Sequence, residues 1–319
     1  MLELPIYVDP SSRNYSAYSS YIKQFNVNLQ SRVTKYLAEE LSINPHSRIA
    51  IMITGSDGRL EKGPQSRIDL VVLKENMPSI DGIVGSVESI TELNSGKSIF
   101  EDTEIKDLEN DSMSFYKNQR DRTFPGRIIE SELLAGNDYL GEKSRMKLYN
   151  ELVGPDGKSI KDKTKDKEKE YRKIMLSGKQ TRKGEEIEHF DMDSGMVFYD
   201  PEDGIFSFKY GPLRFIQLSF ISDIVNFSRQ KQRNDLITGL PPNIEDRFYE
   251  LENLGLSGLP NNQVVELIDN YKFFLWMYHL SQSKYKQEGH KEMGFDRQEV
   301  KERINSISKI LDKGIIKMD

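Results

Sequence analysis

The sequence predicts an α+β protein: a strand-containing core behind a leading helix, followed by a largely helical C-terminal half. Three observations predict it. An apolar stripe of helical spacing precedes two short β-branched runs, and a glycine-containing loop separates those runs. From Phe215 onward the apolar positions keep a helical period. The chain has 319 residues, 36% of them apolar and 30% charged, enough for one large or two moderate domains with a wet surface.

The elements follow in order. Tyr21, Phe25, Leu29, Val33, Tyr36 and Leu37 recur every three or four residues, which predicts a helix over about Tyr18 to Leu41. Asn44-Pro45 breaks that pattern. A strand is expected from Arg48 to Gly55 and a second from Ile68 to Leu73, with a polar loop carrying glycines between them. The stretch Lys74 to Asp121 is polar, and a helix and a strand around Ile99 to Leu108 are expected in it. Arg127 to Gly136 reads as a strand running into a turn, and Asn137 to Glu151 as a helix on Leu140, Met146 and Leu148. Pro155-Asp156-Gly157 is a turn, so the first domain is drawn as 1–155 and a linker with the helical domain as 156–319. Lys158 to Lys173 is dense in charge and reads first as a solvated helix face, with nucleic-acid contact the lesser reading. Val264, Leu267, Ile268, Tyr271, Phe274, Leu275 and Tyr278 form one helical stripe, and Val300, Ile304, Ile307 and Leu311 another. Gly239 to Asn243 is a joint between helices.

Several classes of function are excluded or disfavoured. With no cysteine there is no disulfide, thiolate metal site or cysteine nucleophile. No run of about 18 apolar residues and no basic-then-apolar start is present, so neither a membrane span nor a secretion signal is expected and a cytoplasmic protein fits. The net charge of −6 argues against bulk attraction to nucleic acid, though a local basic groove stays open. His46, His189, His279 and His290 lack metal-ligand spacing. His189 with Asp191 and Asp193 reads as a turn-rich loop.

Chemistry concentrates in the stretch from Gly55 to Leu70. A strand ends at Gly55-Ser56, where a small residue lets backbone N–H groups come close to a phosphate. The chain then re-enters as a strand with Asp69 near its start, and strand alternation sets residues 67 and 69 on one face. Two carboxylates on such a face hold two divalent ions about 4 Å apart in phosphoryl transfer.

This stretch resembles the nucleotidyltransferase superfamily of DNA-polymerase-β type, whose pattern is strand, Gly-Ser, Gly-Arg-x-Glu, then Ser-Asp-x-Asp-Leu. Gly55, Ser56, Gly58, Arg59, Glu61, Pro64, Ser66, Asp69 and Leu70 match it, nine positions within sixteen residues. The likeness is closest to the uridylyltransferases that modify the PII signalling protein and to CBS-associated nucleotidyltransferases. Arg127 to Gly136 is similar to the segment that supplies the third carboxylate, with Glu130 as the matching acid and Glu132 and Glu104 as rivals. Phe208 to Gln217 is similar to the family's Lys-x-Gly-Gly-Leu-Arg segment. The three segments stand in the family's order, within about residues 15 to 285.

The resemblance implies a mixed sheet flanked by helices and transfer of NMP from ATP or UTP to an acceptor hydroxyl, on a protein. It implies Mg²⁺ or Mn²⁺ on Asp69 and Glu130. It places phosphate contacts at Gly55, Ser56, Arg59, Ser66, Lys209 and Arg214. For Ser56 a turn-shaping role competes, and for Arg59 a structural pairing with Glu61.

One departure outweighs these matches. Where the family has its first metal-binding Asp, this chain has Arg67, whose guanidinium cannot ligate a cation and stays protonated. Repulsion of a divalent ion there is worth several kcal/mol at a partly buried position. Three readings follow: transfer with a single ion held by Asp69, Glu130 and Asp57; a pseudoenzyme that binds nucleotide or a partner protein, with Arg67 reading phosphate; or a structural Arg67–Asp69 bridge in a vestigial pocket. A protein-docking role for the C-terminal helices is the remaining class.

Overall fold

The computed structural model describes residues 14–63, 68–75, 100–107, 129–153, 165, 166, 169, 181, 182, 185, 186, 198–200, 204–206, 208–288 and 297–318. Within these the fold is mixed α and β. Two compact units are present. The first takes in Ile22–Ile160 and Ser228–Arg247; the second takes in Lys161–Phe227 and Phe248–Asp319, with 14–21 of the described residues before them.

The first unit is built on a four-stranded mixed sheet in the order β3-β2-β1-β4. Its strands are β1 (Ile49–Ile53), β2 (Ile68–Lys74), β3 (Phe100–Asp107) and β4 (Glu132–Gly136). β1 runs antiparallel to both β2 and β4, while β2 and β3 are parallel. All five residues of β1 are buried, which is why its sequence is a continuous apolar run rather than an alternating one. On one face Ile49, Ile51, Ile53, Ile68, Leu70 and Val72 pack with Val33, Leu37 and Ile43. On the other, Met52 meets Gly141 of helix α3 (Asp138–Val153).

Helix α1 (Tyr15–Glu39) and the expected stripe differ in detail. The buried line is Ile22, Asn26, Val33 and Leu37, whereas Tyr36 is exposed. The polar Asn26 is tolerated there because its amide donates to the carbonyls of Ile22 (2.8 Å) and Lys62 (3.0 Å). Between β1 and β2 lies a one-turn helix, α2 (Gly55–Gly58). Expected strand residues Arg127 and Ile128, the turn at Pro155 to Gly157, most of the 158–173 charge run, and the His189, Asp191 and Asp193 loop lie outside the described residues.

The second unit holds two short hairpins, β5 (Thr181–Arg182) with β6 (Glu185–Glu186) and β7 (Phe198–Asp200) with β8 (Gly204–Phe206). Its helices are most of α4 (Arg214–Lys231), the end of α6 (Ile244–Asn253), α7 (Asn261–Glu288) and α8 (Arg297–Leu311); the short α5 (Asp235–Thr238) belongs to the first unit. The stripe from Val264 to Tyr278 is buried throughout, as the period predicts. In α8 Ile310 is buried where Leu311 was expected and Leu311 is half-buried, a rotation of one position in the final turn. Phe220 meets Phe248 edge to face at 5.1 Å and Phe273 meets Phe274 likewise at 5.2 Å. Among the described residues no helix is long and apolar enough to cross a membrane.

Candidate functional site

The turn after β1 is shaped by two close approaches. Gly55 adopts a left-handed φ of +65°, and a Cβ there would stand 3.3 Å from Oδ2 of Asp69. The Asp69 carboxylate therefore lies against the Gly-Ser turn. Three residues on, a Cβ at Gly58 would stand 2.2 Å from the carbonyl oxygen of Glu130. So α2 is wedged between Asp69 at one end and the Glu130 backbone at the other, and only glycine fits the second contact. The β1–β2 ladder continues one step past Ile53 and Leu70, with the Thr54 N–H donating to the Asp69 carbonyl at 3.1 Å.

The loop that follows is fixed from three sides. Arg59 donates Nε to Glu61 Oε2 at 2.7 Å and Nη1 to Glu130 Oε2 at 2.5 Å. Arg247 then donates Nη1 to Glu130 Oε1 at 3.4 Å, Nη2 to the Ile129 carbonyl at 3.4 Å and Nε to the Pro241 carbonyl at 2.7 Å. Two guanidiniums and two carboxylates thus form a charge-balanced cluster, each residue no more than 3% exposed. Burial pulls the Arg247 guanidinium below its ordinary range and Arg59 adds to that, while Glu130 and Glu61 oppose it. Asn243 completes the loop's support: its amide donates to the Arg59 carbonyl at 2.7 Å, and its Oδ1 caps α6 through the N–H groups of Glu245 and Asp246.

The expected site residues separate accordingly. Gly55, Ser56 and Asp69 come together at the turn. Arg59 pairs with Glu61, and Glu130 joins that pair rather than offering a free carboxylate. Glu130 lies in a helical turn two residues before β4, not on a strand. Its rival Glu132 opens β4; burial raises its pKa, and Arg145 opposes that rise. Arg214 belongs to the second unit and donates to Gln217 at 3.1 Å, and the backbone of Lys209 lies in the π-helical turn Lys209–Leu213 that precedes α4. Ser66 and Arg67 lie outside the described residues.

The donor set does not fit a pair of divalent ions. Arg67 stands where the resemblance expects a metal-binding Asp, and both oxygens of Glu130 accept from guanidiniums. Asp69 is the other acid that the resemblance assigns to metal. Among the described residues no group of three or more His, Asp and Glu is placed to hold a metal.

Arg247 carried a signal that sequence reading missed. Ile244, Phe248 and Leu251 make an apolar stripe, and Arg247 stands within it at i+3, an arginine where only a paired one is stable. A scan of family models finds no family that matches the chain, and a search of the curated proteins finds no match.

Proposed function

We propose that the chain is a nucleotidyltransferase-type scaffold that binds nucleotide and has given up metal-dependent transfer. One observation carries this reading: Glu130, the acid best placed by resemblance to hold metal with Asp69, is buried with a guanidinium on each carboxylate oxygen. Freeing it for a cation would leave Arg59 and Arg247 with one buried carboxylate between them, a large penalty in a low-dielectric interior. In the sequence Arg67 supplies a fixed positive charge where the family places an ion, and a guanidinium binds phosphate oxygens through paired N–H groups. Gly55, Ser56 and Ser66 are the neighbours assigned to phosphate, and Asp69 to a donor on the ligand. A partner protein reading the nucleotide-bound form would make the chain a binding module.

A second reading keeps NMP transfer from ATP or UTP to a hydroxyl on an acceptor protein. It is favoured by the position of Asp69, whose carboxylate faces the turn expected to hold phosphate. Incubation with α-³²P-ATP or α-³²P-UTP, host-cell lysate and Mg²⁺ or Mn²⁺ separates the two. Wild type is expected to leave every band at background, and so is Arg67→Asp, because Glu130 stays paired in that variant. A band labelled by wild type and lost in Asp69→Ala would establish the transferase. Label restored by Arg67→Asp alone would contradict the role given to the Glu130 pairing.

A further inference from the structure

We propose that Thr54 is a positioning residue that holds the Asp69 carboxylate in its ligand-binding orientation, an inference that rests on the nucleotide-binding reading. Thr54 is 1% exposed, and its hydroxyl has no hydrogen-bond partner among the described residues. A buried hydroxyl left in that state is unfavourable, and native chains rarely keep one without a use. Its place in the sheet points to the use. The Thr54 N–H bonds the Asp69 carbonyl, so the two residues stand directly across from each other at the end of the β1–β2 ladder. Residues opposite one another share a face, with Cβ atoms about 4.5–5.5 Å apart. That face is opposite to the one occupied by Ile53 and Leu70 of the core.

Asp69 is half-buried, and its Oδ2 lies over Gly55, the residue that follows Thr54. A ligand that takes one carboxylate oxygen withdraws the group from solvent, where each further donor to the charge counts for more. The Thr54 O–H is a buried donor placed directly across the ladder from the residue that bears that carboxylate. A hydrogen bond to a charged acceptor is worth roughly a tenfold change in affinity or more.

The test is nucleotide affinity in EDTA beside thermal unfolding, for wild type, Thr54→Val, Thr54→Ser, Asp69→Asn and the Thr54→Val/Asp69→Asn double variant. Valine has the shape of threonine without the donor, so Thr54→Val is expected to unfold at the wild-type temperature or above while binding ATP about tenfold more weakly. Thr54→Ser is expected to restore affinity, and Thr54→Val to add nothing in the Asp69→Asn background. The proposal is overturned if Thr54→Val binds as wild type does, if affinity and stability fall together, if serine fails to rescue, or if the two substitutions weaken binding additively. A wild-type protein that binds no nucleotide would instead overturn the parent reading and this one with it.

Discussion

Arg247→Ala is expected to destabilise the first unit by about 3–5 kcal/mol, because it removes one partner of a fully buried ion network. Glu130 would keep Arg59 but lose the guanidinium on Oε1, and the Ile129 and Pro241 carbonyls would lose their donor as well. The same loss is not expected when charge is removed in balance. Arg247→Met combined with Glu130→Gln keeps volume and leaves Arg59 with Glu61, so it should recover much of the single-variant loss. Urea unfolding at constant m-value measures both. A single variant within about 0.5 kcal/mol of wild type would show that the network carries no stability, and with it the argument that Glu130 is committed would fall.

Gly58→Ala carries the other large effect. Its Cβ would meet the Glu130 carbonyl oxygen at 2.2 Å and the Ile53 carbonyl oxygen at 3.1 Å, both backbone atoms that cannot rotate aside. The expected loss is about 2–3 kcal/mol, the upper part of the overpacking range. Gly141→Ala is the matched control. It also lies in a helix, but its Cβ would meet only the flexible end of Met52 at 3.3 Å. There the gain in helix propensity, about 1 kcal/mol, should offset the contact. Equal unfolding midpoints for the two variants would contradict the wedged turn described above.

Much of this fold was legible in the sequence because periodicity reports burial directly. The strand at Ile49–Ile53 is a continuous apolar run, that at Ile68–Lys74 is apolar but for Asp69 and its final lysine, and every position of the stripe from Val264 to Tyr278 is buried. The pairing of Arg59 with Glu61 was legible too, since two residues apart across a tight loop leaves little freedom. What periodicity does not report is the partner. Glu130 and Arg247 are 117 positions apart, and no local pattern links them. Asn26 broke its stripe in the same way: it reads as a polar interruption until its two carbonyl acceptors are seen. Thr54 gave no signal at all, because a threonine ending a strand is ordinary and only the absence of a partner among the described residues sets it apart. The segment 228–247 illustrates the limit again. Helical period marks its helices, but which unit they complete depends on side chains such as Asn243, which reaches the Arg59 carbonyl, and Arg247, which reaches Glu130.

Nucleotide is proposed to bind here through the permanent charge of the Arg67 guanidinium rather than through a metal ion. Equilibrium binding of ATP and UTP, measured with Mg²⁺ and again in EDTA, tests it most directly. The expected result is dissociation constants within about threefold of each other in the two conditions, and a loss of about tenfold in Arg67→Ala from one charge-assisted pair of hydrogen bonds. Binding that appears only with the divalent ion, or no binding in either condition, would contradict the account.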